Sequence, residues 1–338
     1  MRPITIVKHL SSAVLIFFVI VLGVSPEIFA RQDEHGLSQS LAHYTMGLIY
    51  DLSGLTEEAV NEYKQAAEFD KENYFIHFRL GSDYARMGML PEAIAELNLV
   101  SKIKPADLSS RYLLALIYSN QKEYKKSADE YEFILQSLSQ EDPENIEISS
   151  FLGQLYYSQG KYEEAIGQFL KILSREPRNA NVMYLLGSLY LEVDQRQEAI
   201  GLFSKAIEVD PKHDGSLNSL AYVYAEEGQN LDEALTLIQK ALEIDPENGA
   251  YLDSLGWVYY KKKMYQEALG YLQKADTYLN DPVVYDHLGD VYYQLNQQGN
   301  AEKYWRLSLE LLPQQKEVLR KLNDLEQQRQ TVLPPADN

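Results

Sequence analysis

One motif recurs eight times along this chain, and its spacing limits the fold more than any other feature does. In "LGWVYY" a leucine precedes a glycine, and a tyrosine follows three residues after it. The small residue returns as Gly47, Gly81, Ala115, Gly153, Gly187, Ala221, Gly256 and Gly289, at spacings of 34, 34, 38, 34, 34, 35 and 33. Before it stand Met46, Leu80, Leu114, Leu152, Leu186, Leu220, Leu255 and Leu288. Three residues after it stand Tyr50, Tyr84, Tyr118, Tyr156, Tyr190, Tyr224, Tyr259 and Tyr292. A second small residue follows in each copy (Ala59, Ala93, Ser127, Ala165, Ala199, Ala234, Ala268, Ala301). Four positions later comes a bulky one (Tyr63, Leu97, Tyr131, Phe169, Phe203, Ile238, Leu272, Trp305). A fixed period of this length marks one supersecondary unit stacked many times.

Each copy reads as two amphipathic helices joined by a short polar turn such as "SQGKY", "EEGQNL" or "KKKMY". Small residues let the two helix backbones approach, and a bulky replacement there costs roughly 1 to 3 kcal/mol through overpacking. Pro105, Pro143, Pro177, Pro211, Pro246, Pro282 and Pro313 punctuate the joints, where proline ends one helix and shapes the turn into the next. No copy buries its apolar face alone, so the copies must stack.

Period and pattern together resemble the tetratricopeptide repeat family. The resemblance implies an all-α, right-handed superhelical solenoid of eight helix-turn-helix units over residues 37–315, at about 40–73, 74–107, 108–145, 146–179, 180–213, 214–248, 249–281 and 282–315. The family's usual tryptophan near the start of the first helix is replaced by His43, His77, Arg111, Ser149, Met183, Leu217, Leu252 and Tyr285. Unit three carries a longer exit, "QSLSQEDPENIE", which predicts a longer loop, a local change of pitch and a hinge between two halves. Beyond Pro313, Val318, Leu319, Leu322 and Leu325 share one stripe of a capping helix at 316–330, followed by a loose tail at 331–338.

The first thirty residues read differently. Arg2, Lys8 and His9 precede the apolar run Ala13 to Val24 and then "SPEIFA", the outline of a secretory signal with cleavage after Ala30. Twelve helical residues span about 18 Å, short of the ~30 Å hydrocarbon core, which favours a cleaved segment over an N-terminal membrane anchor. Either way the rest of the chain is expected to be exported, to the periplasm or cell envelope. The net charge of −19 argues against nucleic acid as a partner, since phosphate binding needs clustered Lys and Arg. The chain has no cysteine, which removes disulfides, thiol catalysis and zinc-cysteine sites.

No catalytic signature, cofactor motif or metal-ligand spacing stands out. His43 and His77 occupy equivalent positions and read as partly buried scaffold rather than a metal pair. The "LGS" triplets are the repeat's small residue followed by serine and lack the second glycine of a nucleophile elbow. Carboxylates lie mainly on polar faces and at helix starts.

A functional surface follows from the resemblance, in which the first helices line the concave side. Residues three before the small one, and one and four after it, share a face away from the Leu/Tyr stripe. They include Tyr44, Phe78 and Tyr112 in the N-terminal half. In the C-terminal half they include Tyr184, Asn218, Tyr222, Asp253, Trp257, Tyr260, Asp286, Asp290 and Tyr293. The family's two-carboxylate clamp uses Lys and Asn, whereas this chain places Asp253 and Asp286 there with no matching lysine. A protein or peptide segment carrying Lys or Arg between apolar side chains suits that acidic, aromatic groove, with Trp257 and the tyrosines supplying stacking. The lysines 261–263 fall at a solvated turn.

These features predict a non-catalytic exported scaffold or adaptor. Units six to eight also look like the C-terminal repeats of bacterial envelope tetratricopeptide proteins. Some of those are lipoprotein adaptors whose lipidated cysteine this chain lacks. The alternative is a subunit of an export or polysaccharide assembly machine, held at the membrane by residues 1–30. A third reading, a glycan-processing enzyme, would use Asp253 and Asp286 as its carboxylates.

Overall fold

A computed structural model describes residues 34–332. The N-terminal segment 1–30 and the last six residues of the expected tail lie outside the described residues. Seventeen helices and no strand are present among them. Eight helical hairpins follow in order. The first four are α1 (Glu34–Leu52) with α2 (Thr56–Phe69), α3 (Tyr74–Arg86) with α4 (Leu90–Ile103), α5 (Leu108–Asn120) with α6 (Tyr124–Glu141), and α7 (Ile146–Ser158) with α8 (Tyr162–Arg175). The next four are α9 (Ala180–Glu192) with α10 (Arg196–Val209), α11 (Asp214–Glu227) with α12 (Leu231–Ile244), α13 (Gly249–Lys261) with α14 (Tyr265–Tyr278), and α15 (Pro282–Gln294) with α16 (Gln298–Leu311). A single helix, α17 (Lys316–Val332), ends the array and takes in the first two residues assigned to the tail.

Local chemistry sets these boundaries. Most first helices start at an Asn or Asp whose side chain accepts a backbone N–H of the first turn: Asn73, Asp107, Asn145, Asn179, Asn248 and Asp281. At α11 the cap is His213, whose Nδ1 accepts the N–H of Ser216 at 3.1 Å. Pro282 departs from the other joint prolines, since it occupies the first turn of α15 and begins a helix instead of following one. The turn inside every hairpin has a left-handed residue seven positions after the small residue, and the turn before α12 has a second at Asn230. Glycine fills it four times, and Lys122, Asp194, Lys263 and Asn296 fill it otherwise.

The hairpins close on the small residues as their spacing predicts. A Cβ added at Gly47 would lie 2.5 Å from the Tyr63 ring, one at Gly81 2.7 Å from Leu97, and one at Gly153 2.9 Å from Phe169. Each partner sits sixteen residues on, in the second helix.

The four extra residues of unit three form no longer loop. They extend α6 to 18 residues against 14 in the other second helices from α2 to α16, and the joint to α7 keeps its usual turn. Four residues are close to one 3.6-residue turn, so the insertion preserves which face meets the core.

The chain forms two compact units that divide between Ile134 and Leu135, inside α6. The core of the first gathers Tyr63, Leu80, Leu97 and Leu114. In the second, one cluster gathers Phe203, Leu217, Ile238 and Val258, and another gathers Leu272, Leu288, Trp305 and Leu325. Val318, Leu322 and Leu325 of α17 are buried in that last cluster, so the helix caps it.

Candidate functional site

Of the twelve residues marked on the first-helix face, Tyr44, Phe78 and Tyr112 belong to the first unit and nine to the second. In the first unit the tyrosines are half-buried against their own hairpins. Tyr44 lies 5.6 Å from the Tyr63 ring and Tyr112 lies 6.3 Å from Tyr131. Tyr63 donates its hydroxyl to Asp51 at 2.8 Å, and Arg86 bridges Asp51 and the buried Asp83. Burial pushes the Asp83 carboxyl above the usual range, ahead of the opposing effect of Arg86.

The positions vacated by tryptophan form a ladder in this unit. His43 meets Glu62 at 2.7 Å, His77 meets Glu96 at 2.6 Å and Arg111 meets Glu130 at 2.9 Å, each pair nineteen residues apart and within one hairpin. His77 also donates Nε2–H to the Lys71 carbonyl at 2.9 Å. Both its ring nitrogens therefore face acceptors. Burial alone would lower its pKa, but those acceptors outweigh burial and raise it.

In the second unit the acidic positions are organised around partners that the sequence reading did not assign. Asp253 is only 6% exposed and accepts Nδ1–H of His287 at 2.9 Å; His287 is 4% exposed. Burial disfavours charge on His287, yet Asp253, Asp286 and Asp290 together hold its pKa above the ordinary value. Lys321 of α17 reaches Asp286 at 2.7 Å and Asp290 at 2.7 Å. This corrects the expectation that no lysine matches these carboxylates. Asp290 also accepts Nε1–H of Trp305 at 3.0 Å, and its carboxyl is raised by burial and then by Asp286.

Trp257 is equally committed. Its indole stacks on His287 at 3.9 Å and on Tyr260 at 4.6 Å, donates Nε1–H to Glu226, and carries the Lys261 ammonium 4.8 Å from its centroid. The stacking expected from a ligand is thus supplied internally. Lys261 and Lys262 pair with Glu226 and Asp232 of the preceding repeat, so those two lysines are not simply solvated. Burial pushes the Tyr260 hydroxyl up to about 12, and burial likewise raises Tyr222, which lies 6.3 Å from the His287 ring. Tyr293 exchanges a hydrogen bond with Gln328. Asn218 Oδ1 is buried and has no hydrogen-bond partner among the described residues.

A simple rule accounts for the missed pairs. The acid three before one small residue meets the cation two before the next, as in Asp253 with His287. Asp286 meets Lys321 in the same way, as though α17 were a ninth first helix. Reading neighbouring units against each other at an offset of 34 or 35 finds both.

Moving toward the N-terminal side of this unit, the same face opens. Tyr157 on α7 is 47% exposed, and Tyr184 and Leu191 on α9 are half-buried. The Tyr157 hydroxyl is raised by burial, then by the nearby carboxylate of Glu192 and by Tyr162 and Tyr184. Glu192 and Glu226 are exposed at equivalent places of α9 and α11. The arrangement is a half-open aromatic strip with acids on its rim beside a closed acidic and aromatic network. Among the described residues no group of His, Asp and Glu is placed to hold a metal ion.

Tetratricopeptide repeat models match residues 41–73, 184–249, 227–282 and 283–315. A model of the anaphase-promoting complex, cyclosome, subunit 3 matches residues 125–206. No curated protein matches in sequence. Among solved structures, a tetratricopeptide repeat protein from Parabacteroides merdae ATCC 43184 is 20% identical. It covers 75% of this chain and 98% of its own, with a TM-score of 0.54. PilW, a widely conserved type IV pilus biogenesis factor, is 17% identical and covers 64% of this chain and 98% of its own, with a TM-score of 0.50. At these identities the likeness concerns the fold.

Proposed function

The chain is a tetratricopeptide-repeat protein, and from that premise we propose that it is an exported scaffold that grips a partner segment on the first-helix face of its second unit. The observation that carries this reading is the half-open strip of Tyr157, Tyr184 and Leu191 beside the exposed Glu192. Rings left partly bare beside the exposed Glu192 carboxylate suit a segment with Lys or Arg set between apolar side chains. Asp253, Asp286, Asp290 and Trp257 then form the rigid end of the groove, because their charges and ring faces are already engaged. The basic partner inferred from sequence is retained, but its contacts move from those aspartates to the tyrosine strip and its rim.

Export rests on residues 1–30, whose short basic start, apolar run and small-residue end fit a secretory signal or a membrane anchor. Fractionation of cells, with N-terminal sequencing of the recovered protein, tests it: a chain found in the cytosol and starting at Met1 overturns export.

For the groove, a photoreactive residue placed at Tyr157 is compared with one at Thr236, an exposed residue of α12. The reading expects one dominant crosslinked species at Tyr157 that is lost in Glu192→Lys. Equal capture at both positions overturns it.

A further inference from the structure

The leucine before the small residue is buried in seven repeats, with Leu80, Leu114, Leu152, Leu186, Leu220, Leu255 and Leu288 all at 3% exposure or less. In the first repeat the equivalent residue, Met46, is 41% exposed. It belongs to a bare stripe on α1, where Leu41 is 61%, Ile49 51% and Leu52 90% exposed. Ser38, Ala42, Thr45 and Ser53 fill the gaps between them, all exposed, and no charged residue interrupts the stripe. Among the described residues nothing covers it, whereas α17 covers the last core layer of the second unit.

We propose that this stripe is the contact between two copies of the chain, α1 packing antiparallel on α1 across a two-fold axis. Charge argues for a second copy. A chain of net −19 repels itself wherever charged surfaces face each other, and this stripe is a neutral face on which two copies meet without like charges opposed. Shape argues the same way, because a two-fold contact needs a patch that complements itself. With the axis between Thr45 and Met46, Met46 falls opposite Thr45 and Ile49 opposite Ala42, so large residues meet small ones at the centre of the contact. A 19-residue helix is about 28 Å long, which places the contact at the small end of specific interfaces.

The absence of cysteine gives a clean test on the full-length chain. Thr45→Cys lies beside the axis and meets its own copy, while Thr236→Cys on α12 reports random encounters. At micromolar protein under mild oxidation, Thr45→Cys forms disulfide-linked dimer roughly tenfold faster than Thr236→Cys, as the raised effective concentration requires. Adding Ile49→Glu to Thr45→Cys abolishes the excess and leaves the helical melting curve in place, since Ile49 is exposed. Equal rates for the two cysteines overturn the proposal and leave the stripe to a different partner. An excess that survives Ile49→Glu also overturns it. So does an intramolecular link between Thr45→Cys and Val19→Cys in place of the dimer, which would assign the stripe to the chain's own N-terminal segment.

Discussion

Repeats one to three and repeats six to eight satisfy most of their polar first-helix positions in different ways. In the first group His43, His77 and Arg111 pair with glutamates nineteen residues on, inside one hairpin, while Arg86 to Asp51 crosses from repeat two to repeat one. In the second group the bonds cross from one repeat to the next: Asp253 to His287, Asp286 to Lys321, Tyr251 to Asp214, and Glu226 to Trp257 and Lys261. Repeat stability is a sum of intrinsic and nearest-neighbour contributions. The first group therefore reinforces the intrinsic contribution, and the second reinforces the coupling between neighbours. A chain built this way keeps its C-terminal repeats acting as one body.

The strongest challenge to that comparison is removal of the two histidines. His287→Ala leaves the Asp253 carboxylate buried without its partner and should cost about 3 to 5 kcal/mol. His77→Ala leaves Glu96 partly exposed, where water replaces the lost bond, at a cost of about 1 kcal/mol. Urea unfolding measures both. Equal costs would mean that the crossing bonds add nothing beyond the ladder.

Next in size is Gly289→Ala. Its Cβ would enter the ring of the buried Trp305, which also donates to Asp290 and so cannot turn aside freely. About 2 to 3 kcal/mol of overpacking is expected, against about 1 for Gly81→Ala, where the obstacle is the more adaptable Leu97. Thermal melts of the two variants check the ranking.

A smaller effect separates the regions by pH. His77 and His287 both have folded-state pKa values above the unfolded value of ~6.5. Their stabilisation is complete below that value and is lost as pH rises through the folded values. The melting temperature should therefore fall as pH rises above about 6.5. His77→Asn should remove the part of the fall that hydrogen exchange assigns to repeat two, and His287→Asn the part assigned to repeats seven and eight together. Loss of protection in repeat eight alone would deny the coupling.

How much of this the sequence disclosed depends on the range of the interaction. Contacts sixteen residues apart within a hairpin, such as Gly47 with Tyr63, were legible because a fixed period fixes the geometry of one unit. Pairs between units were not, because Asp253 and His287 occupy different positions of their respective repeats, and only an offset comparison aligns them. The added turn of α6 reads as loop from sequence, since a count of residues does not say whether they continue a helix. Tyr260 stands four after its small residue, a position that is open in Tyr157 but half-buried here against Trp257 and Tyr265. Met46 carries the repeat's leucine position but no described residue covers it, which a pattern shared by all units hides.

The smallest predicted effect concerns a feature in which the two regions agree, and it serves as the control. Lys122 and Lys263 hold φ of 61° and 62° at the same turn position of repeats three and seven. A side chain there strains against its own backbone, and Gly54, Gly88, Gly160 and Gly228 show the residue that avoids the strain. Lys122→Gly and Lys263→Gly should each raise stability by about 0.5 kcal/mol, the relief of strain being partly offset by the greater freedom of glycine in the unfolded chain. Neither lysine is part of the ladder or of the crossing network, so the two gains should match. If Lys263→Gly alone stabilises, the turns as well as the polar bonds differ between the regions, and the histidine comparison must be repeated in the glycine background before its difference is assigned to coupling.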